Sequence, residues 1–432
     1  MLRFAPSPTE DMHIGNLRVA IFNYIVAKQR QERFIVRMED SDKERNIEGK
    51  DREILDILQL FSLHPDDVYY QSHNLTIHQH MAIKLLEERK AFACFCTPEE
   101  LEAEREAANA GKKAYRYSGT CERLSDAEVL ANERPFTVRL KKPDKPVEFE
   151  DLIKGRQCFA PEEIDSFVIM RADKRPTYNF ACAVDDMIHD ITLVIRGEDH
   201  LNDTPKQIHV RDRLGYDKAM AYAHLPIILN ESGKKMSKRD EASSVKWLLE
   251  EGFLPEAIAN YLILLGNKTP EEIFTMEEAM EWFDLAKISS APARFDLDKL
   301  RFVNREHMKR IDSKELSRAF GFADTSIGEL VKCYLEEGST IKEIKPKIEA
   351  IFSAKPDSGE WHEQMEKLRE AIKHAPRYET FDEFKSHLME STGLEGKHFF
   401  KPIRLLLTGS EHGPELSHLY PYIKSYLMEI VK

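Results

Sequence analysis

The sequence predicts an α/β protein: a parallel sheet of βαβ units, interrupted by an inserted module and followed by an all-α region. Three observations predict it. Apolar residues recur at helical spacing over residues 17–31 and give way to a strand-like run at 33–38, so helix and strand alternate. A second buried-strand run, 191–196, precedes a helical stretch at 204–214, so the sheet resumes after a long interruption. Beyond about residue 311 almost every segment carries the helical period, as at 327–337, 341–352 and 415–431.

Taken in order, the first 70 or so residues read as loop, helix, strand and helix. Leu17, Ala20, Ile21, Tyr24 and Ile25 mark one helix face, with Lys28 on its rim. Phe34, Ile35, Val36 and Met38 form the strand, closed by Glu39-Asp40-Ser41-Asp42. From about Ser72 the pattern loosens. Residues 98–130 read as helical, polar and rich in Glu and Ala, whereas 135–140 and 167–170 read as strands; together they form the inserted module. Residues 230–310 mix a loop with helices such as 255–265. Pro/Ser/Gly breakers at 355–358 and 408–414 separate the helices of the last region.

A chain of 432 residues predicts about two to four domains. With 42% hydrophobic and 32% charged residues it reads as soluble and globular, which excludes collagen-like, low-complexity and wholly disordered chains. No apolar run reaches the roughly 18 residues of a membrane span, so no membrane association is expected. Met1-Leu2-Arg3-Phe4-Ala5-Pro6 has neither a charged n-region nor an apolar h-region, so no secretory signal is expected. Six cysteines are too few for a disulfide scaffold, and the expectation is a reduced, cytoplasmic protein. The net charge of −13 argues against nonspecific coating of nucleic acid, but a local basic face needs only a positive contact surface.

Two segments carry chemistry together. Pro6-Ser7-Pro8-Thr9-Glu10-Asp11-Met12-His13-Ile14-Gly15-Asn16 runs from a first strand into a helix, and Lys234-Lys235-Met236-Ser237-Lys238-Arg239 lies in a loop far downstream. Activating a carboxylate with ATP needs a helix N-terminus with a close glycine for phosphate. It also needs an imidazole for phosphate or ribose oxygens, and mobile lysines against the charge building on pyrophosphate. A lone His-Ile-Gly is most often structural, and a lone Lys-Met-Ser-Lys-Arg is most often a solvated loop. Their order within a parallel-sheet pattern is what gives them weight.

These two segments resemble the signature motifs of class I aminoacyl-tRNA synthetases. The flanking words Arg3-Phe4-Ala5-Pro6-Ser7-Pro8-Thr9, Phe34-Ile35-Val36-Arg37-Met38-Glu39-Asp40-Ser41-Asp42, Pro176-Thr177-Tyr178-Asn179-Phe180, Val184-Asp185-Asp186 and Val194-Ile195-Arg196-Gly197-Glu198-Asp199 resemble bacterial glutamyl-tRNA synthetases. The likeness runs on through Phe295-Asp296 to Phe400-Lys401-Pro402-Ile403-Arg404 and Gly413-Pro414, essentially the whole chain.

The resemblance implies a Rossmann-type catalytic domain (residues 1–72 and 173–230), an inserted acceptor-end-binding module (73–172), a stem-contact region with the Lys-Met-Ser-Lys-Arg loop (231–310) and an α-helical anticodon-binding domain (311–432). It implies ligation of L-glutamate to tRNA through a glutamyl-adenylate, with ATP and Mg2+ as cofactors, tRNA(Glu) and/or tRNA(Gln) as partner, and a monomer. Relatives usually need tRNA for the activation step. A glutamyl-queuosine synthetase would stop near residue 300, and a glutaminyl-tRNA synthetase of the usual kind would carry β-barrels after it. A non-catalytic tRNA-binding paralogue is the rival of another class, and the intact Lys235-Met236-Ser237-Lys238 speaks against it.

Carried over by residue, Arg3, Ala5, Ser7, Glu39, Tyr178 and Arg196 match the family's glutamate pocket. His13, Gly15, Asn16, Asp199, Lys235 and Lys238 match its ATP site, with His13, Lys235 and Lys238 as the catalytic set. Arg196 suits a bidentate grip on the γ-carboxylate, which would reject the donors of a glutamine amide; the alternative is a salt bridge to Glu198 or Asp199. Cys182 falls where some relatives carry a pocket asparagine. Glu10 falls where relatives usually carry glycine: either it points outward harmlessly, or it weakens ATP binding by repulsion and backbone strain. Cys94, Cys96, Tyr117 and Cys121 match a structural zinc set, with Arg123 where some relatives have a histidine; the alternative is three reduced cysteines in an apolar insert.

Overall fold

The computed structural model describes residues 1–237, 239–355 and 359–432. Lys238, and most of the breaker segment at 355–358, lie outside the described residues. The chain divides into two compact units, residues 1–245 with 262–295, and residues 246–261 with 296–432.

The first unit is built on a seven-stranded sheet. Its strands are β1 (Leu2–Phe4), β2 (Phe34–Met38) and β3 (Asp67–Tyr70), followed after an interruption by β6 (Val147–Asp151), β7 (Gly155–Phe159), β9 (Leu193–Gly197) and β10 (Ala221–Leu225). The order is β3-β2-β1-β9-β10-β6-β7. Every pairing is parallel except the β6–β7 hairpin. Parallel strands with both faces covered read as near-continuous apolar runs, and all five residues of β2 are buried, Arg37 among them. The helix Ile14–Gln29 lies against β1 and β9 and buries Leu17, Ile21, Phe22 and Ile25 completely. Each such side chain contributes about 1.5–3 kcal/mol of hydrophobic stabilisation.

A separate antiparallel sheet, β4 (Ala91–Cys94), β5 (Thr137–Leu140) and β8 (Val168–Met170), packs Val138, Leu140 and Ile169 against Phe180, Val184 and Val210, while Phe92 and Cys94 of β4 join Tyr117 and Cys121 in a small core of their own. The stretch read as helical over 98–130 is broken. A helix Pro98–Ala110 is capped by Thr97 and Glu100, a loop follows, and a short helix Asp126–Leu130 ends the stretch. The loop exists because Tyr117 is buried beside Cys94 and Cys121 in that core, which an uninterrupted exposed helix would forbid. The hairpin β6–β7, inside the stretch read as an insertion, is hydrogen-bonded to β10 of the main sheet through Asp151 and Tyr222. A small parallel pair, β11 (Ile228–Leu229) and β12 (Ala293–Arg294), completes the unit.

The second unit is helical among its described residues, with helices such as Leu297–Arg310, Thr325–Cys333, Ile341–Phe352, His362–His374 and Lys397–Thr408. They bury Leu330, Ile344, Leu368, Ile403 and Leu406 to zero or nearly zero exposure. Among the described residues no helix is long and apolar enough to cross a membrane.

Candidate active site

In an open parallel sheet, ligands bind at the carboxyl ends of the strands where the strand order reverses. Here that point lies between β1 and β9. A cleft of about 1000 Å³ opens there. Its lining includes Arg3, Ala5, Ser7, Glu39, Tyr178 and Arg196, together with His13, Gly15, Asn16, Asp199 and Lys235. Every described residue assigned to either substrate pocket therefore meets in one cavity.

One end of the cleft holds charge. Arg3 is buried and its guanidinium spans both oxygens of Asp186, at 3.1 and 3.5 Å. Arg37, fully buried in β2, pairs with the same carboxylate and donates to Glu39 Oε1 at 3.1 Å. Burial alone would push the Asp186 carboxyl up, but Arg3 and Arg37 outweigh it and hold it well below the usual carboxylate range. The Cys182 thiol donates to the same Glu39 Oε1 at 3.1 Å. Burial, with Glu39 beside it, pushes that thiol well up, so it stays protonated and remains a donor.

Arg196 differs from Arg3 and Arg37. It is 6% exposed, and its partners are neutral: Nε donates to His224 at 3.1 Å, Nη1 to Gln207 at 3.0 Å and Nη2 to Thr204 at 2.6 Å. Among the described residues it forms no ion pair. Glu198 pairs with Lys154 instead, and Asp199 lies 3.7 Å from Lys235, so the salt-bridge alternative does not hold. Tyr178 opens the helix Tyr178–Ile188, with its hydroxyl 3.2 Å from His200 Nδ1.

The other end is a helix N-terminus. His13 caps the helix Ile14–Gln29, and its Nδ1 accepts from Gly15 N–H at 3.0 Å. The ring proton therefore sits on Nε2, a buried atom with no partner among the described residues. Burial lowers the His13 pKa, so the ring is a neutral donor. A Cβ at Gly15 would come within 3.3 Å of Nδ1 and crowd this fold-back. A Cβ at Gly197 would meet Asp199 Oδ1 at 2.5 Å, so a larger residue there would make that carboxylate swing aside from its present position. Lys235 is exposed at the end of a turn closed by Asn230 and Lys234, and Met236 is its buried anchor. Glu10 lines the same cleft and raises the proton affinity of His13. Its backbone is not left-handed, so the strain half of the expectation is absent.

The family described as tRNA synthetases class I (E and Q), catalytic domain, matches residues 1–302. The chain is 64% identical to glutamate–tRNA ligase 1 of a Nitratiruptor species and 60% identical to glutamate–tRNA ligase 2 of Sulfurimonas denitrificans, covering all of each chain. The chain belongs to the glutamate–tRNA ligase family. A crystal structure of a glutamate tRNA ligase from Elizabethkingia meningosepticum in complex with its amino acid superposes with a TM-score of 0.84 at 28% identity, over 99% of this chain and 97% of that one.

Against the family pattern, the structure adds residues that sequence reasoning gave no role: Arg37, Asp186, Thr204, Gln207 and His224. A signal for one of them was present. Strand alternation puts Arg37 and Glu39 on one face, and a charge inside an apolar buried strand needs a partner.

Away from the cleft, the four residues of the expected metal set also meet. Tyr117 Oη lies 3.5 Å from both Cys94 Sγ and Cys96 Sγ, and Cys96 Sγ lies 3.5 Å from Cys121 Sγ. The three sulfurs fall within 4.8 Å of one another. Arg139 donates to Cys94 Sγ at 3.3 Å, and its guanidinium lies 4.1 Å from the Tyr117 ring centre. Three thiols and a phenol at this spacing suit a closed, thiolate-rich zinc site.

Proposed function

We propose that this ligase activates L-glutamate with ATP in the β1–β9 cleft and transfers it to tRNA. The observation that carries the reading is Arg196: a buried guanidinium with only neutral partners among the described residues, in the same cleft as the Glu39 carboxylate. A cation held that way is completed by an anion from outside, and a planar fork fits a carboxylate. Glu39 accepts from the α-ammonium, with Cys182 and Arg37 holding its other oxygen. Arg3, Ser7 and the Ala5 backbone take the remaining oxygens, and Tyr178 closes the pocket.

The His13 Nε2–H, the Gly15 and Asn16 helix end and Asp199 serve ATP. Lys235 and Lys238 offset charge on the departing pyrophosphate. Mg2+, when bound with ATP, would offset charge on the triphosphate. No side chain acts as nucleophile: the substrate carboxylate attacks the α-phosphorus, and the tRNA terminal ribose hydroxyl attacks the adenylate. Positioning and fixed charge supply the rate.

Cys94, Cys96, Tyr117 and Cys121 would hold a structural zinc, which would fix the loop carrying Tyr117. Unbridged thiols this close fit a reducing, cytoplasmic setting. The helical unit reads the anticodon. Charging of separately purified tRNA(Glu) and tRNA(Gln) with glutamate tests the reading. Glutamyl-tRNA from at least one supports it, and none from either, in the presence of ATP and Mg2+, refutes it.

A further inference from the structure

Arg196 owes its aim to a buried pair that does not line the cleft. Asp151, at the end of β6, is 1% exposed. Its Oδ1 accepts from the backbone N–H groups of Ile153 (2.9 Å), Lys154 (2.8 Å) and His224 (3.3 Å). Its Oδ2 lies 2.6 Å from His224 Nδ1. A carboxylate there can only accept, so Nδ1 carries the ring proton and Nε2 presents its lone pair. That lone pair faces Arg196 Nε at 3.1 Å and Thr204 Oγ1 at 2.9 Å. With Nε tied to the imidazole and the two Nη atoms each tied once, the guanidinium plane is fixed. Each Nη keeps a second N–H.

We propose that Asp151 and His224 are positioning residues for the amino-acid subsite: Asp151 fixes the tautomer of His224, and His224 orients Arg196 toward the substrate's side-chain carboxylate. The inference rests on the functional reading above, since it needs Arg196 to face glutamate. Its consequence is a dependence of glutamate binding on the charge of one buried imidazole. Protonated His224 would turn Nε2–H against Arg196 Nε–H, and the guanidinium would have to rotate. The charged and titratable groups around the ring are Asp151, Arg196 and His200, with Tyr222 stacked against it. Burial lowers the His224 pKa, Asp151 raises it and Arg196 lowers it, leaving it below its ordinary value. The neutral form therefore prevails near pH 7, and the aim is lost only in acid.

The test is ATP–pyrophosphate exchange with tRNA present, on the full chain. His224→Leu removes the acceptor, and a misaimed guanidinium should raise the glutamate KM roughly ten- to a hundredfold, with the ATP KM within about threefold. His224→Gln restores an acceptor near the Nε2 position and should recover most of the loss, which a purely packing role would not predict. The glutamate KM of the wild type should climb on the acid side of the ordinary imidazole range, where His224 gains its proton, whereas that of His224→Gln should not. A folded His224→Leu with wild-type glutamate KM overturns the proposal. If His224→Leu does not fold, the pH profiles decide, and identical acid limbs in wild type and His224→Gln overturn it. A wild type that exchanges no pyrophosphate with glutamate overturns the functional reading and this proposal with it, an outcome distinct from the variant results.

Discussion

Replacing Arg196 by alanine is the sharpest test of amino-acid selection. The side chain is 6% exposed and lacks an ion-pair partner among the described residues, so the substrate carboxylate would supply its anion. A hydrogen bond to a charged group is worth about 1.5–3 kcal/mol. Two parallel bonds in a bidentate grip therefore supply about 3–6 kcal/mol, a loss of roughly 10²- to 10⁴-fold in kcat/KM for glutamate. The fold should survive the change. Thr204 and His224 keep their mutual contact at 2.9 Å, Gln207 keeps Asn179 at 3.0 Å, and a desolvated cation is removed. Thermal midpoint and ATP KM should move little. Arg196→Lys keeps the charge without the fork and should fall between. The assay is pyrophosphate exchange with tRNA present, varying glutamate and ATP separately. A folded Arg196→Ala with wild-type glutamate kinetics would refute the assignment.

Lys238→Ala should lower kcat roughly 10²- to 10³-fold, as for loss of one transition-state charge donor, and pre-steady-state burst kinetics would read it. Glu10→Gly and Glu10→Gln should both lower the ATP KM: the backbone is unstrained, so charge alone is at stake, and a neutral amide should do as well as glycine. An effect confined to glycine would show that the backbone matters after all. Protein purified without chelator should carry about one zinc per chain by elemental analysis, and Cys96→Ser should lose both the metal and thermal stability.

The parts of this fold that sequence reading located are those where period and burial agree. The strand read at 33–38 is β2, one residue shorter, and the helix read at 204–214 has those bounds, because apolar residues there keep a regular spacing between clear breakers. The hairpin β6–β7 was not legible: it joins the sheet edge with alternating exposed charge, as in Val147-Glu148-Phe149-Glu150, which reads equally as an insertion loop. The cleft's lining was legible because its residues sit in short contiguous words at strand ends. The support beneath it was not. Asp151 and His224 are distant in sequence, and only the parallel pairing of β6 with β10 brings them within 2.6 Å. Asp186 likewise carries no local sign that it will sit between Arg3 and Arg37.

We propose that two carboxylates just beyond the helix Thr325–Cys333, Glu336 and Glu337, bear on the choice of tRNA. The resemblance to glutamyl-tRNA synthetases implies, in relatives strict for tRNA(Glu), an arginine near this position against the third anticodon base, a cytosine. An arginine donates to cytosine's acceptors, whereas a carboxylate accepts from the N1–H and N2–H donors of guanine, the third anticodon base of tRNA(Gln). The structure separates the two candidates. Glu337 is bound to Lys347 Nζ at 2.8 Å and is 29% exposed, so its charge is already engaged. Glu336 is 86% exposed, with Lys309 no nearer than 3.7 Å, so its carboxylate is the one open to an incoming base. One base contact is worth about 1–3 kcal/mol, a roughly ten- to hundredfold preference. Glu336→Arg should therefore shift charging from tRNA(Gln) toward tRNA(Glu) by about that factor. Glu337→Arg should act less on the ratio and more on stability, because it opposes Lys347. Competition assays with both tRNAs in one reaction measure the ratio directly. If the wild type charges tRNA(Glu) alone, or if neither variant moves the ratio, these carboxylates are solvated helix-end residues and specificity is set elsewhere.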